Sequence, residues 1–470
     1  MRKNLLLTLA CGLAVSVLAQ AEQPTIYDKF QCLQLSGNGE WMLGRSNTWY
    51  DEEDDRYDGE TSLCNVNTGQ IFGLEDYFTL TPYSRPISSK GVAILSTNCP
   101  EANLWEVPYL VIPGEEPKPL LQFYEEGPYK GKECYACAIT DDASAFLAYY
   151  EEYPTQYPFV CTLSEDYTIG TPDYLPLPAK DIFGGTPLSV QLTNISDDAN
   201  TVGGLVWANV EKVGLLCYPI IYTKGNDGTW AYSYPLMDAF DVSDPEKCPN
   251  FYASQVALSP DGTLFACTQE IPSRVSNFPD YKTWVVNLKE GTYKTLESSN
   301  TDVIATRILN DGTVIGTFFA TINISYVYAP DASDYVDFQK YAADVNPPYG
   351  QWIEDNLMVK VQDYDENGIP VNLTLPNTGQ VFVSDDFSVF AAGFQESTKY
   401  DEYANLKRWS YAFTDFDPSS VNAISIENSA KNKGVYNLYG IKIGETDSEG
   451  KLPNLPQGIY IVNGKKVIIK

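Results

Sequence analysis

Histidine is absent from this chain of 470 residues. Its absence excludes Ser-His-Asp and Cys-His nucleophile systems, and it excludes imidazole ligation of metals. Basic residues are also scarce, because 31 Lys and Arg face 62 Asp and Glu, which gives a formal net charge of −31. A surface this acidic repels nucleic acid and anionic lipid, so neither is expected as a partner. Carboxylate-only chemistry remains open.

Long apolar runs are missing beyond the N-terminus. Arg2 and Lys3 precede an apolar stretch at residues 5–18, and Ala19 and Ala21 supply small residues near a cleavage point. This arrangement predicts a secretory signal peptide at residues 1–21. The stretch is too short for a spanning helix, and we therefore expect an exported protein without membrane insertion.

Cysteine is missing beyond residue 267, and nine of the ten cysteines follow the predicted signal peptide. Disulfides are plausible in an exported protein, but an odd count leaves at least one thiol free. Cys134 and Cys137 have CxxC spacing without a strand-to-helix turn around them. We interpret both as small buried side chains of a structural kind.

One sequence motif, here called the phrase, occurs seven times in the chain. It consists of a polar tight turn followed by a short apolar strand with small residues, here called the phrase strand. The first residue of each turn follows an apolar residue, at Ser36, Ser88, Thr140, Ser196, Ser259, Leu309 and Ser384. Asp, Asn and Gly favour the reversal because they tolerate positive φ or bond their own backbone. Self-similarity at a period of roughly 50 residues is typical of a propeller. The pattern predicts an all-β, seven-bladed β-propeller at residues 22–416, with the phrase strand innermost in each blade.

Three details of that propeller are also predicted. Thr25–Leu33 supplies the missing strand of the last blade and closes the ring. The long interval before Ser384 contains an added hairpin in blade six, with strands at Asn356–Gln362 and Ile369–Leu375. No helix longer than two turns is expected after the signal peptide.

The repeats resemble the degenerate units of WD40-like, TolB-like and HAF-repeat propellers. That resemblance implies a fold and almost nothing about activity, because propellers support binding, scaffolding and catalysis alike.

The last 50 residues differ in composition, with seven lysines against four acids at residues 421–470. Three segments resemble the C-terminal sorting domain of the type IX secretion system of Bacteroidetes: Tyr436–Gly440, Gly458–Tyr460 and Lys465–Lys470. The resemblance implies a small β-sandwich-like domain at 417–470 and contact with export machinery through residues 421–470. It also implies a secreted or outer-membrane-surface protein, with the periplasm as the alternative. The first motif of the family is not clear upstream of Val435.

One segment matches the first half of a calcium loop. Asp363, Asp365 and Asn367 alternate before Gly368, as oxygen ligands do in such loops. Val371 and Thr374 depart from the second half of the pattern, and a plain hairpin tip explains the same residues. Calcium is therefore a possible cofactor, and no other cofactor is predicted.

Two further segments have a structural and a functional interpretation. The acidic run Asp51–Gly59 could collect calcium or a basic peptide, or it could be a solvated loop. Asn226–Trp230 resembles the Asp-box turn of sialidases, which rigidifies a turn and is not itself catalytic. Sialidase chemistry would require three convergent arginines, which cannot be grouped from the sequence.

The sequence favours non-catalytic binding of a glycan or protein ligand outside the cell. A glycoside hydrolase or lyase with paired carboxylates is the alternative, and a structural surface component without a ligand is the third possibility. Two or three carboxylates with raised pKa at one channel mouth would favour the enzyme. Absence of a pocket would favour the structural component.

Overall fold

The structure is a computed structural model that describes residues 23–51, 56–74, 78–80, 84–153, 155–211, 213–240, 250–271, 279–296, 298, 303–319, 322–364, 370–397, 406–414, 416, 434–437, 442–445, 458–462 and 465–469. The chain divides into two compact units. The larger unit comprises Thr25–Phe338 and Asn377–Thr414, and the smaller contains Gln339–Pro376 and Asp415–Lys470. Within the described residues, no helix is long and apolar enough to cross a bilayer.

The larger unit is the predicted seven-bladed propeller, in which each blade is one antiparallel sheet. The strands of blades one to three are β2 (Phe30–Leu35), β3 (Trp41–Asp51), β4 (Arg56–Asn65) and β5 (Ile71–Gly73), then β6 (Ala93–Cys99), β7 (Leu104–Val111) and β8 (Lys118–Pro119), then β9 (Glu133–Ile139), β10 (Ala145–Glu152), β11 (Thr155–Thr162) and β12 (Asp173–Tyr174). Blades four and five consist of β13 (Ser189–Ile195), β14 (Thr201–Val210), β15 (Gly214–Lys224) and β16 (Trp230–Ser233), then β17 (Asn250–Leu258), β18 (Leu264–Ile271), β19 (Asp280–Asn287) and β20 (Thr292–Thr295). Blades six and seven consist of β21 (Ile304–Ile308), β22 (Val314–Phe319), β23 (Asn323–Tyr328) and β24 (Val336–Asp337), then β27 (Val381–Val383), β28 (Phe390–Ser397), β29 (Leu406–Phe413) and β1 (Thr25–Asp28).

The phrase strand is the second strand of its sheet, so its predicted innermost position is wrong. In blade four the sheet order is β13-β14-β15-β16, and β13 contacts β9 and β17, the first strands of the neighbouring blades. The phrase strand contains small residues because neighbouring backbone lies close to it. A bulge in β13 brings the carbonyl of Gln191 against Gly204 of β14, where a Cβ would collide with it. The crowding at Gly204 therefore arises within its own sheet, whereas Gly393 of β28 is crowded by the backbone of Cys32 in the neighbouring blade.

The ring closes through the N-terminal strand. Thr25–Asp28 pairs antiparallel with β29, with Tyr27 opposite Ser410, and forms the outermost strand of blade seven. The predicted closure is confirmed for these four residues. The rest of the predicted segment, from Phe30 onward, instead begins the first strand of blade one.

Blade two departs from the other six because its first strand is irregular. In the described part of the segment before Ser88, pairing with β6 is limited to isolated bridges, Thr79 with Ser96 and Ile87 with Ala93. Pro86 lacks an N–H and cannot donate to a ladder. The irregular backbone leaves Arg85 free to point toward the axis.

Hydrophobic clusters between neighbouring blades form the core. Between blades two and three, Phe123 lies 5.9 Å from Phe146 and 5.2 Å from Phe159, ring centre to ring centre. Phe123 belongs to a single-turn helix, α1 (Gln122–Glu125), and two 3-10 turns occupy Pro100–Ala102 and Met237–Ala239.

The described cysteines are eight, and all are buried with free thiols. Cys248 lies outside the described residues. Burial raises the pKa of Cys161 to about 12, so this thiol stays protonated and unreactive. The structural interpretation of Cys134 and Cys137 agrees with their burial among aliphatic and aromatic side chains.

The smaller unit contains two helices that the sequence analysis did not expect. They are α2 (Phe338–Val345) and α3 (Pro347–Asn356), and the ten residues of α3 exceed two turns. Two prolines open α3, where a missing N–H costs nothing. The ring of Tyr349 in α3 stacks on Phe416 at 6.2 Å.

The predicted hairpin is present but does not extend blade six. Its strands, β25 (Met358–Tyr364) and β26 (Pro370–Pro376), form a separate two-stranded sheet in the smaller unit. The C-terminal residues form a four-stranded sheet in the order β31-β30-β32-β33, from β30 (Gly434–Asn437), β31 (Lys442–Glu445), β32 (Gly458–Val462) and β33 (Lys465–Ile469). Val462 pairs with Lys465 where β32 and β33 meet.

Candidate functional site

Five of the seven repeated turns share one side-chain hydrogen-bonding scheme, which Lys90 at the third place of blade two and Leu309 at the first place of blade six interrupt. In blade five the buried hydroxyl of Ser259, the first turn residue, donates to Asp261 Oδ1 at 2.7 Å and accepts the N–H of Leu264 at 2.9 Å. Asp261 Oδ1 also accepts the N–H of Thr263 at 3.0 Å. The fourth turn residue has positive φ in every blade: Gly39, Gly91, Ala143, Ala199, Gly262, Gly312 and Phe387. These bonds explain why most of the turns have Ser or Thr at the first place and Asp or Asn at the third, and the backbone explains why the fourth residue must tolerate positive φ.

The turns also bond to one another around the axis. Backbone N–H groups reach the next turn at six of the seven junctions: Asn38 to Ser89 Oγ, Ser89 to the Asp141 carbonyl, Asp141 to Asp197 Oδ1, Asp197 to the Pro260 carbonyl, Asp261 to Asn310 Oδ1, and Asp385 to the Gly37 carbonyl. At the junction of blades six and seven, an ion pair between Arg307 and Asp385 takes this place. The seven turns thus form a closed ring at one face of the propeller.

A charged network fills the centre of this ring. Arg85 Nη1 donates to Asp385 Oδ2 at 3.0 Å, and Arg85 Nη2 donates to Asp197 Oδ1. Arg307 Nη2 donates to the other oxygen of Asp385. Asp141 Oδ1 accepts the N–H of Gly37 at 3.1 Å. We call these five side chains (Arg85, Arg307, Asp141, Asp197 and Asp385) the axial cluster.

Burial and mutual charge shift the pKa values of the axial cluster. Burial disfavours the charged guanidinium of Arg85, but the carboxylates of Asp385 and Asp197 outweigh it and raise the pKa of Arg85. Burial lowers the pKa of Arg307. Burial also raises the pKa of Asp197, and Arg85 opposes that shift.

The sequence analysis missed Arg85 and Arg307. Both lie just before a repeated turn, on the first strand and not on the phrase strand. The residue two places before the turn lines the axial cavity in blades one, four and six, as Gln34, Asn194 and Arg307. A polar residue at that place in an otherwise apolar strand was the available signal.

The axial cavity is small, at about 50 Å³. This volume has room for a few water molecules, whereas sites for small organic ligands measure roughly 300–1,000 Å³. Asp197 and Asp385 are each paired with arginine, so neither is a free acid or base toward a substrate. Asp197 has a raised pKa, as the criterion for a catalytic carboxylate requires. Its ion pair with arginine nevertheless serves to connect the blades at the axis.

A second acidic cluster lies at the opposite face, where blades two and three meet. Burial raises the pKa of Glu106, and the charges of Glu133 and Glu151 raise it further. Glu133 and Glu151 are cross-strand partners in blade three, and Tyr135 donates to Glu133 at 2.9 Å. The ring of Tyr135 stacks on Tyr149 at 5.0 Å.

A groove of about 650 Å³ lies at the outer rim between blades one and two. Its apolar lining comes from Phe72, Leu74 and Tyr109, and its acidic side from Glu115 and Glu116. Asn98 and Gly73 also line it. We call it the rim groove. Its volume and its mixture of apolar surface with a few polar groups are those of a binding site.

Of the site residues predicted from the sequence, the structure describes only one. Asp365 and Asn367 are not among the described residues, and Asp363 is described only as a backbone position of β25, paired with Val371. The calcium prediction therefore stays a prediction. Among the described residues, no group of three His, Cys, Asp or Glu is arranged to hold a metal ion. Residues 52–55 of the acidic run also lie outside the description.

The turn at Asn226–Trp230 is structural in this protein. Asp227 Oδ1 accepts the N–H of Thr229 at 3.0 Å, and Gly228 has a φ of 80°. The indole of Trp230 donates to Asp173 at 3.0 Å. These contacts tie the β15–β16 hairpin to blade three.

With its sheets and its axial cluster described, the chain belongs to the class of seven-bladed β-propellers. No protein-family model matches it, and no curated protein matches it in sequence. Solved structures do resemble it. The β-propeller domain of the Trilobed protease from Pyrococcus furiosus is 10% identical over 84% of this chain and 98% of that chain, with a TM-score of 0.44. TolB from Acinetobacter baumannii is 12% identical over 80% of this chain and 81% of that chain, with a TM-score of 0.31.

A prolyl endopeptidase structure is 10% identical over 79% of this chain, with a TM-score of 0.40. The chain spans only 46% of that protein's length. Similarity at these levels carries no argument about function, and the propeller assignment depends on the sheets described above.

Proposed function

We propose that this protein is an exported, non-catalytic binding propeller whose ligand, a glycan or a protein, docks at the rim groove. The groove of about 650 Å³ supports this proposal most directly, because the axial cavity of about 50 Å³ leaves no comparable space. A purely structural surface component would need no such groove.

The test is a screen of the mature chain from residue 22 against arrays of glycans and of peptides, with calcium and again with chelator. Selective binding that falls in the Phe72→Ala variant supports the proposal. The matched control is Tyr293→Ala, which removes a 41% exposed aromatic from the edge strand β20, away from the groove. Equal loss in both variants, or no selective binding in either condition, would contradict it. Loss of ligand binding in the presence of chelator would support a calcium site formed by Asp363, Asp365 and Asn367.

A carboxylate-dependent glycoside hydrolase or lyase is the second candidate. Glu106 favours it, because its raised pKa and its neighbours Glu133 and Glu151 fit a general acid where blades two and three meet. New reducing or unsaturated sugar ends from a polysaccharide panel, abolished by Glu106→Gln, would support catalysis. If no polysaccharide in the panel gains new ends, the enzyme candidate is refuted and the binding function remains.

Export is part of the proposal and depends on residues 1–21 and 421–470. Fractionation of cells that carry the tagged full chain tests it. A chain that lacks residues 421–470 should accumulate in the periplasm if this segment engages outer-membrane export machinery. Unchanged surface display of the shortened chain would refute that role.

A further inference from the structure

The rim groove contains an unpaired strand edge. In blade one, Asn65 donates to the Gln70 carbonyl at 2.9 Å and Leu74 donates to the Thr61 carbonyl at 2.9 Å. Antiparallel pairing alternates, so residues 70, 72 and 74 direct their backbone groups toward β4. Ile71 and Gly73 direct theirs outward, and these groups have no hydrogen-bond partner among the described residues.

The edge strand β5 is short, which itself limits strand addition, but it carries none of the other usual protections. Its three residues, Ile71–Gly73, include no charge and no proline. Exposed strand edges are normally blunted by lysine, proline or a bulge, because they template the addition of another strand. Ile71 is 37% exposed, so the outward edge is open to solvent.

The charge beside this edge is negative. Glu115 and Glu116 line the groove and are exposed, and the Glu60 carboxylate lies against the Cα of Gly73. Among the described residues that line the groove, none is Lys or Arg. The whole chain has a formal net charge of −31. The complementary ligand is positively charged.

We propose that the rim groove binds an extended, lysine- or arginine-rich polypeptide segment by strand addition to the outer edge of β5. The backbone of the segment pairs with Ile71 and Gly73, its basic side chains meet Glu60, Glu115 and Glu116, and its apolar side chains cover Phe72. Alternate side chains of a strand face opposite sides, so one segment can satisfy both requirements. This inference depends on the proposed binding function and specifies its ligand as a polypeptide and not a glycan.

The test uses a fluorescein-labelled heptapeptide of alternating lysine and valine, titrated with the mature chain. Two comparison peptides replace lysine by glutamate or methylate every second backbone nitrogen. Strand addition requires the backbone donors, so we expect the methylated and the glutamate peptides to bind at least about tenfold more weakly than the lysine peptide.

Two matched pairs of variants locate the site. E115K/E116K and E125K/E126K make the same change in net charge, but only the first pair lines the groove. Ile71→Pro removes an outward N–H from β5 without breaking a ladder bond. Ile26→Pro does the same in β1, the edge strand of blade seven, because Tyr27 and Lys29 face β29 and Ile26 faces outward.

We expect about tenfold weaker binding in E115K/E116K and in Ile71→Pro, with the two controls within about twofold of the parent. Equal losses in both charge variants, or full binding of the methylated peptide, would overturn the proposal in favour of non-specific attraction. Failure of all three peptides with a positive glycan array would overturn the polypeptide ligand and retain the binding function.

Discussion

The axis and the rim groove of this propeller are built in opposite ways. At the axis, seven near-identical turns bond to one another, and the axial cluster closes a cavity of about 50 Å³. At the rim groove, nothing repeats: β5 ends after three residues, and prolines at 117 and 119 shape the opposite wall. The comparison teaches that the repeated residues hold the blades together, whereas an unrepeated place between two blades provides the space for a ligand.

Breaking the axis should have the largest effect on stability. Arg85→Ala removes the cation between Asp385 and Asp197, whose carboxylates are only 20% and 35% exposed. Loss of one member of a buried pair costs about 3–5 kcal/mol, and in Arg85→Ala it is Asp197 that loses its cation, since Asp385 keeps Arg307. Denaturant unfolding of the mature chain measures this change. The matched control is Lys132→Ala, which breaks an exposed pair with Glu152 and should cost less than about 1 kcal/mol.

The repeated turns should come next. Ser259→Ala removes a fully buried hydroxyl that bonds Asp261 and the N–H of Leu264. We expect a loss of about 1–2 kcal/mol in the free energy of unfolding, because a buried donor and acceptor lose their partner. Ser164→Ala removes the same type of bond from an exposed turn, and it should cost less. A larger loss in Ser164→Ala would show that burial is not the cause.

The contribution of the repeated turns to the free energy of unfolding should fall at acidic pH. Burial raises the pKa of Asp386, but hydrogen bonds from Ser388 and Ser384 outweigh it and lower that pKa below 3.8. A folded-state pKa below the unfolded value adds stability above about pH 3.9, and this stability is lost as the pH falls through the folded value. Asp386→Asn keeps the acceptor, as Asn38 does in blade one. We therefore expect a shallower fall of unfolding free energy below about pH 4, measured by denaturant titrations at each pH. An unchanged slope would contradict this assignment.

Changes at the rim groove should have the smallest effect on stability. Glu115 and Glu116 are exposed and make no described ion pair, so E115K/E116K should alter the free energy of unfolding by less than about 0.5 kcal/mol. The same variant should lose peptide binding. Destabilisation on the scale of Arg85→Ala would erase the contrast between the two regions.

The architecture followed from the sequence because the turn chemistry repeats. A residue of positive φ at the fourth place recurs in all seven turns, and Ser or Thr at the first place with Asp or Asn at the third recurs in five, so seven local units predict seven blades. The position of the phrase strand did not follow. It was predicted to be innermost, whereas it is the second strand, and a bulge in the first strand crowds its Gly204.

The candidate sites were much less accessible to sequence reasoning. Arg85 and Asp385 are 300 residues apart, and only ring closure brings them together. The rim groove depends on where β5 ends and on which backbone groups face outward, and neither has a residue signature. The two helices beyond Phe338 were missed because Pro347 and Pro348 are markers of loops as well as of helix starts.

The central claim is that the outward edge of β5 binds a polypeptide. Its most direct test is the affinity of the lysine–valine heptapeptide for Ile71→Pro and Ile26→Pro at one salt concentration. We predict about tenfold weaker binding in Ile71→Pro and an unchanged affinity in Ile26→Pro. Equal affinities in the two variants would contradict strand addition at the rim groove.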